Sequence, residues 1–379
     1  MQLSLSADQE FFRDNTAKFL TEHATPAEIR RLRDEPDGFD AAYWQKGTQL
    51  GWTSLLVAEE HGGGSISGDG LGDLTLVADE FGRHAAPGPL APTSIVAGAL
   101  SDLAADRYAD LLAGLLDGTA IASWGHLEPR PDGGLDDVNL DISPDGSDVV
   151  LNGTKRPVES AGRAGHLLVT GRTGAGLTQV LVPTDAAGVT VRPMRTVDLT
   201  RRFSEVTFRD VRVAADSVLG EIGGAGAQVE RQLLHAVVIA NAETVGAMQF
   251  AFDMTLEWAF DRYSFGRPLA SYQELKHRFA DMKSWLEAGH AVSDLAALAV
   301  SAGSSEAGEL ASAAKAFLGQ YGTELLQDCI QMHGGIGLTF EHDIHFFLRR
   351  VALNRMLHGT PAQHRHRIAS LAAQRVDKL

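Results

Sequence analysis

The spacing of apolar positions changes twice along this chain. Up to residue 117 it is helical. Ser6-Ala7-Asp8-Gln9-Glu10 has the form of a helix N-cap, and Phe11, Phe12, Ala17, Phe19 and Leu20 then fall broadly on one face. Helical patterns return over 40–50, 71–81 and 107–116, interrupted by Gly51-Trp52 and Gly62-Gly63-Gly64 and closed by Asp117-Gly118. Between 118 and 222 the runs become short and β-branched, at 149–151, 166–170, 179–182, 189–191 and 205–208. Asn152-Gly153 and Ala187-Gly188 read as turns there, and Gly133-Gly134 and Gly174-Ala175-Gly176 as loop tips. A glycine-rich stretch from Gly220 to Gly226 leads out. Long apolar helical runs then cover 233–259, 273–300, 306–331 and 343–357, lengths that pack as an antiparallel bundle. The pattern predicts an α+β chain in three domains: helical over 1–117, β-barrel-like over 118–222, and a four-helix bundle over 223–379.

Composition narrows the function classes. A chain of 379 residues has more than one small core to build. Its net charge of −16 argues against a nucleic-acid partner, whose phosphates need a basic footprint. An anionic cofactor is still admissible, because backbone N–H groups and a few arginines decide that locally. Cys329 is the single cysteine, so no intrachain disulfide can form, and a buried apolar role is expected for it. Met1-Gln2-Leu3-Ser4 lacks the basic-then-apolar run of a signal peptide. No run of about 18 uninterrupted apolar residues is present, so no membrane span is expected. A soluble cytoplasmic protein is the expectation.

Two motifs carry candidate chemistry. The first is Gln331-Met332-His333-Gly334-Gly335-Ile336-Gly337, followed by Leu357-His358-Gly359-Thr360. Paired glycines let a backbone approach a large anionic cofactor closely, because no Cβ intervenes. The second is Arg262-Tyr263-Ser264-Phe265-Gly266-Arg267-Pro268-Leu269 with Gln273 beyond it. Read locally, Phe265-Gly266 ends a long helix, Pro268 prevents its continuation, and Arg262 complements the helix dipole. Glu341-His342-Asp343-Ile344-His345 is rich in titratable groups. His342 and His345 have no third ligand in range, so a helix start at Asp343 is expected and no metal site. His364 and His366, alternating with Arg365 and Arg367, read as surface or subunit-contact groups.

These motifs together resemble the acyl-CoA dehydrogenase family, and the order of helices, strands and bundle resembles its fold along essentially the whole chain. The resemblance implies an FAD cofactor held at Arg262, Phe265, Gln273, Gln331, Met332, His333, Gly334 and Gly335, the glycine turn often serving a neighbouring subunit's flavin. It implies that Thr360, Pro361 and Ala362 line the flavin, and that Gln363 completes a Gly-Thr-x-x-Gln pattern. It implies an acyl-CoA substrate near Gly359 and Ala236, electrons passed to an electron-transfer flavoprotein, and a homo- or hetero-oligomer of four chains, serving fatty acid or steroid catabolism. In the middle domain only Glu128-Pro129 matches the family's Thr-Glu-Pro segment. Pro157-Val158-Glu159-Ser160 stands where relatives carry Trp-Ile-Thr.

The family's base is a glutamate immediately before Gly-Thr, and here that position is His358. An imidazole has an unperturbed pKa of about 6.5, near the operating pH. Some relatives carry the base on the preceding long helix, where the corresponding residue is Ala236. Glu243 lies about two turns further on. It is surrounded in sequence by Ala240, Ala242, Val245 and Gly246, which would raise its pKa as a base requires. Alternatively, Glu243 pairs with an arginine from another helix. Three possibilities follow: a base at Glu243, a base at His358, or a non-catalytic subunit that completes an FAD site shared with an unlike partner. Ala236, Ala240 and Ala242 suit either a roomy channel for a branched or ring-bearing acyl group or simply close helix packing.

Overall fold

The structure is a computed structural model that describes residues 5–129 and 137–376. Met1–Ser4, Arg130-Pro131-Asp132-Gly133 and the Gly133-Gly134 loop tip lie outside the described residues. Six helices come first: α1 (Ala7–His23), α2 (Pro26–Leu32), α3 (Ala41–Thr48), α4 (Gly70–Arg83), α5 (Leu90–Leu103) and α6 (Ala109–Asp117). Strands follow: β1 (Ala122–Gly125), β2 (Asp141–Asp145), β3 (Asp148–Glu159), β4 (His166–Thr173), β5 (Gly176–Pro183), β6 (Val189–Met194), β7 (Phe203–Ala214) and β8 (Val218–Leu219). The chain ends in α7 (Gly226–Asp261), the hairpin β9 (Tyr263–Ser264) and β10 (Arg267–Pro268), α8 (Gln273–Ser301), α9 (Ala307–His333), α10 (Ile344–Met356) and α11 (Pro361–Val376). The expected order of helices, sheet and helical bundle therefore holds, with α11 added to the four long runs legible in sequence.

Local chemistry accounts for the element ends. Ser6 Oγ accepts from the Gln9 amide at 3.2 Å while Gln9 Oε1 accepts from the Ser6 amide at 3.0 Å, a reciprocal cap that starts α1. Asp40 caps α3 by accepting from the amides of Ala42 and Tyr43. The α5 helix shows no periodic stripe, because it is buried on nearly all sides from Leu90 to Ser101.

By contact the chain forms two compact units, one of residues 30–74 and 87–236, the other of 1–29, 75–86 and 237–379. The first unit holds the eight-stranded sheet, in the order β6-β7-β3-β2-β4-β5-β8 with β1 pairing parallel to β4. Its core is built from Leu167, Leu168, Val169, Val180, Leu181, Val182, Val206 and Phe208. Asn152-Gly153 is not a turn. It lies inside β3, where the register against β7 shifts between Leu151 and Gly153. Asn152 accepts from the Asp210 amide at 2.9 Å and donates to the Asp210 carboxylate at 3.1 Å, so this Asn-Gly pins a bulge in the sheet.

In the second unit α9 is the centre, packed on α8, α10 and α11. Lys315 of α9 is buried and its ammonium donates to the Asn354 carbonyl of α10. The α7 helix is long and apolar enough to cross a membrane, but 78% of that apolar window is buried inside the protein, as in a core helix. The segment of α7 in this unit crosses α4 with backbones almost in contact. A Cβ on Gly246 would sit 2.0 Å from the Asp79 carbonyl oxygen, and one on Gly82 would sit 1.9 Å from the Glu243 carbonyl oxygen. Both clashes are with backbone, which cannot step aside. Gly246→Ala is therefore expected to destabilise the protein by about 1–3 kcal/mol, seen as a lowered thermal midpoint, whereas alanine at the open, exposed Gly335 should leave the midpoint unchanged.

Candidate functional site

Arg262 from one motif and Met332 and His333 from the other meet at Trp258, near the end of α7. The Trp258 indole N–H donates to the Met332 carbonyl at 3.2 Å. Its ring stacks on His333 at 5.4 Å, and the Arg262 guanidinium lies 5.8 Å from its centre. His333 is buried, and its Nδ1 donates to the Cys329 carbonyl at 2.8 Å. The last turn of α9 is thus fixed to α7 by one aromatic stack. Cys329 is fully buried and its thiol is pushed up to about 12, first by burial, so it is inert at neutral pH.

Beyond His333 the chain leaves this anchor. Gln331, Gly334 and Gly335 are exposed and Met332 is half-buried. Gly334 has φ +66, which accounts for a glycine there. Gly335 does not have a left-handed φ, and a Cβ on it would meet nothing within 4 Å. Among the described residues nothing crowds position 335, so its backbone stands open to solvent.

The second motif differs from its sequence reading. The α7 helix stops at Asp261, and Phe265-Gly266 are the two turn residues of the β9–β10 hairpin, both left-handed at φ +50 and +82. The hairpin is tied to the start of α8, because the Tyr272 hydroxyl donates to the Ser264 carbonyl at 2.7 Å and Arg267 lies 3.8 Å over the Tyr272 ring. Gln273 is exposed as the first residue of α8 and reaches His277 at 2.8 Å. Phe265 is 98% exposed, an aromatic ring unused by its own chain. An apolar groove of about 410 Å³ runs beside the hairpin, lined by Leu256, Phe260, Pro268, Ala270, Ser271, Lys276 and Phe279. An exposed guanidinium, an apolar trough and an open glycine turn fit a group with both phosphates and flat rings, as FAD has.

Between α10 and α11 the chain turns sharply through His358 (φ +57) and Gly359 (φ +106). Thr360 and Gln363 form a second reciprocal cap. The Thr360 amide donates to Gln363 Oε1 at 2.7 Å, and the Gln363 amide donates to Thr360 Oγ1 at 3.3 Å. Gln363 therefore begins a helix, which is a local reason for its place in the pattern. His358, Gly359 and Thr360 are half-buried, Ala362 is exposed and Pro361 buried. His364 is a correction. It is a buried ring beneath the turn, while His366 is exposed as expected.

Glu243 does not stand in apolar surroundings. Its carboxylate accepts from Arg350 at 2.7 Å and from the Asn354 side-chain amide at 2.8 Å. Arg350 is itself fully buried and also donates to the carbonyls of Ala85 and Ala86 at 3.1 and 3.0 Å. The sequence around Glu243 hid this because the partners come from α10, more than a hundred positions away. Ala236, on the same helix, is fully buried.

The middle-domain remnants are also internally engaged. Glu128 accepts from the fully buried Lys155 at 2.7 Å and from the amides of Asn139 and Leu140 at 2.9 and 2.8 Å. Burial pushes the Glu128 carboxyl up, but the Lys155 charge and these hydrogen bonds outweigh it and hold it below its ordinary value. Burial lowers Lys155 to about 8 against the pull of Glu128. Glu159, in the stretch that replaces Trp-Ile-Thr, pairs with Arg201 at 2.6 Å. Among the described residues no group of three or more His, Cys, Asp or Glu is arranged to hold a metal ion.

Comparison with known proteins agrees across the chain. The models for the acyl-CoA dehydrogenase N-terminal, middle and C-terminal domains match residues 6–115, 131–211 and 224–372. Acyl-CoA dehydrogenase IpdE2 of Mycobacterium tuberculosis is 28% identical over 365 residues, covering 96% of each chain. A solved variant of the Tcur3481–Tcur3483 steroid ACAD superposes with a TM-score of 0.89 at 26% identity, covering 97% of this chain and 98% of that one. A glutaryl-CoA dehydrogenase from Mycobacterium smegmatis in complex with FADH2 shares the fold, with a TM-score of 0.88 at 21% identity over 96% of this chain and 94% of that one.

Glu243→Gln keeps the shape at position 243 but removes the carboxylate charge that Glu243 presents to the buried Arg350. It is expected to destabilise the fold by about 3–5 kcal/mol, measured by thermal and denaturant melts. Combining it with Arg350→Met should recover a large part of the loss. A Glu243→Gln protein as stable as wild type would show that the pair is not an anchor.

Proposed function

Because the chain belongs to the acyl-CoA dehydrogenase family, we propose that it oxidises the Cα–Cβ bond of an acyl-CoA thioester with FAD and passes the electrons to an electron-transfer flavoprotein. The observation that carries this reading is Trp258, which gathers Arg262, Met332 and His333 from the two motifs, with the exposed Gln331, Gly334 and Gly335 beside it. Arg262 would meet the pyrophosphate with its planar fork of donors. Gln273 and the backbone of Gln331, Met332, His333, Gly334 and Gly335 would complete the cradle, with Thr360 and Ala362 beside the flavin. Bound FAD supplies the hydride acceptor. An exposed cofactor cradle supports a homo- or hetero-oligomer in which a neighbouring chain covers it.

For the proton at Cα, this reading uses the His358 imidazole, which takes it on a ring nitrogen. Glu243 serves as an anchor, because moving its carboxylate to substrate would strand the buried Arg350 charge. In this reading Gly359 stands beside the acyl group, whereas Ala236, fully buried, serves packing. The steroid ACAD among the solved relatives supports a ring-bearing acyl chain as the substrate class. The engagement of Glu243 by Arg350 and the histidine at 358 also favour a second reading. In it the chain is the non-catalytic half of a hetero-oligomer and an unlike subunit brings the glutamate.

The chain purified with FAD should be yellow, and Arg262→Ala should lose a contact of about 1.5–3 kcal/mol, weakening flavin binding about tenfold or more. A wild-type protein that stays colourless with FAD and with any unlike subunit would sink both readings. If the chain is catalytic, thioesters bleach its flavin without oxygen, and His358→Gln abolishes bleaching while keeping the flavin. If wild type is inert until a glutamate-bearing homologue is added, the second reading stands.

A further inference from the structure

His358 adopts a left-handed backbone, rare for residues that carry a side chain although histidine tolerates it better than most. It follows Leu357, extended at ψ 143, and precedes Gly359, also left-handed. Such a turn needs a partner that prefers it to the alternatives. From α11, His364 Nε2 lies 2.9 Å from the His358 carbonyl oxygen. A carbonyl cannot donate, so Nε2 carries the proton and Nδ1 is bare. Nδ1 is buried and makes no hydrogen bond among the described residues. Burial holds the ring near 4, with the charges of Lys315 and Arg367 acting the same way and the bond to His358 opposing them. The ring is therefore neutral at neutral pH and keeps the single N–H it donates.

The same ring fills the place of a side chain at 359. A Cβ on Gly359 would lie 2.7 Å from His364 Nε2 and 3.0 Å from Cδ2. The ring is also fixed in place. The Thr360–Gln363 cap sets the first turn of α11, and the His364 amide donates to the Thr360 carbonyl at 3.0 Å. Donor and acceptor thus close a loop of seven residues that depends on no bound group.

We infer that His364 is a positioning residue: by holding the His358 carbonyl and packing against Gly359, it sets the direction of the side chain at 358 and the shape of the 358–360 turn. This rests on the reading that the turn faces the flavin and substrate. It adds His364, whose contact is with the backbone of the turn itself.

The test uses the full chain, with and without FAD. Imidazole nitrogen signals are followed through a pH titration, the His358 signal being assigned by its loss in His358→Gln. In His364→Leu, the His358 titration midpoint is expected to move by about half a pH unit or more, and FAD binding to weaken about five- to tenfold, the loss of one neutral hydrogen bond. His364→Gln carries a side-chain N–H that reaches the same carbonyl, and should keep the His358 midpoint close to wild type. A merely structural role would lower stability in both variants without separating their His358 titrations. An unchanged midpoint in a folded His364→Leu protein overturns the inference. If that variant does not fold, Gly359→Ala displaces the ring instead, and an unchanged His358 midpoint there overturns it equally. Absence of thioester oxidation in wild type would refute the proposed reaction while leaving the cofactor-free titrations to decide the role of His364.

Discussion

A guanidinium with no access to water holds together the unit that carries the candidate site. Arg350 reaches Glu243 on α7 and the last carbonyls after α4, at Ala85 and Ala86, while Asn354, one turn along α10, takes the other Glu243 oxygen. Three elements converge on one charge pair. A buried pair of this kind is a weak source of net stability, since both charges were better solvated in water. It is a strong constraint on geometry, since any arrangement that separates the partners leaves a bare buried charge. The close α4–α7 crossing at Gly82 and Gly246 works in the same direction, because it fixes Glu243 at the height where Arg350 can meet it. The direction in which α10 leaves this clamp decides where the 358–360 turn sits.

That constraint explains which features could be read from the sequence. Periodicity announced α1, α3, α4 and α6, although Phe11, expected on the apolar face of α1, is 72% exposed and Thr16 is buried beside Phe12 and Leu20, and β-branched runs announced β3 to β7. The α5 helix was illegible because burial on all sides erases a stripe, and β1, β2 and β8 because four or five residues or fewer carry too little pattern. Asn152-Gly153 has the composition of a hairpin turn, yet the tie from Asn152 to Asp210 makes it a bulge. The anchor residues of the site were legible as motifs at Arg262, Gln273 and 331–335. Trp258, which gathers Arg262, Met332 and His333, is not singled out by its sequence. An indole four positions before Arg262, near the end of α7, is the available signal, and its partner Met332 lies far along the chain.

Histidines show the same division between local and distant causes. His364 and His366 look alike in sequence, alternating with arginines, and were grouped together. Helical geometry separates them: two positions rotate a side chain by about 200°, so one ring enters the core and the other faces water. The buried one is held neutral and donates to the His358 carbonyl, so its chemistry is that of a fixed amide-like donor and not of a titrating surface group.

The glycines complete the argument, because the chain gives two different reasons for them. At Gly82, Gly246 and Gly359 a side chain would collide with groups of the same chain, and packing alone accounts for the residue. At Gly335 there is neither a left-handed backbone nor a neighbour to avoid. Helix propensity and surface exposure would admit almost any residue there. The chain's own packing therefore leaves the backbone at 335 open. The exposed Phe265 ring, held out on a two-residue turn, has the same character. Both lie in the unit that also presents Arg262 and the apolar groove, so the features that the fold does not need are those a bound cofactor and a covering neighbour would use.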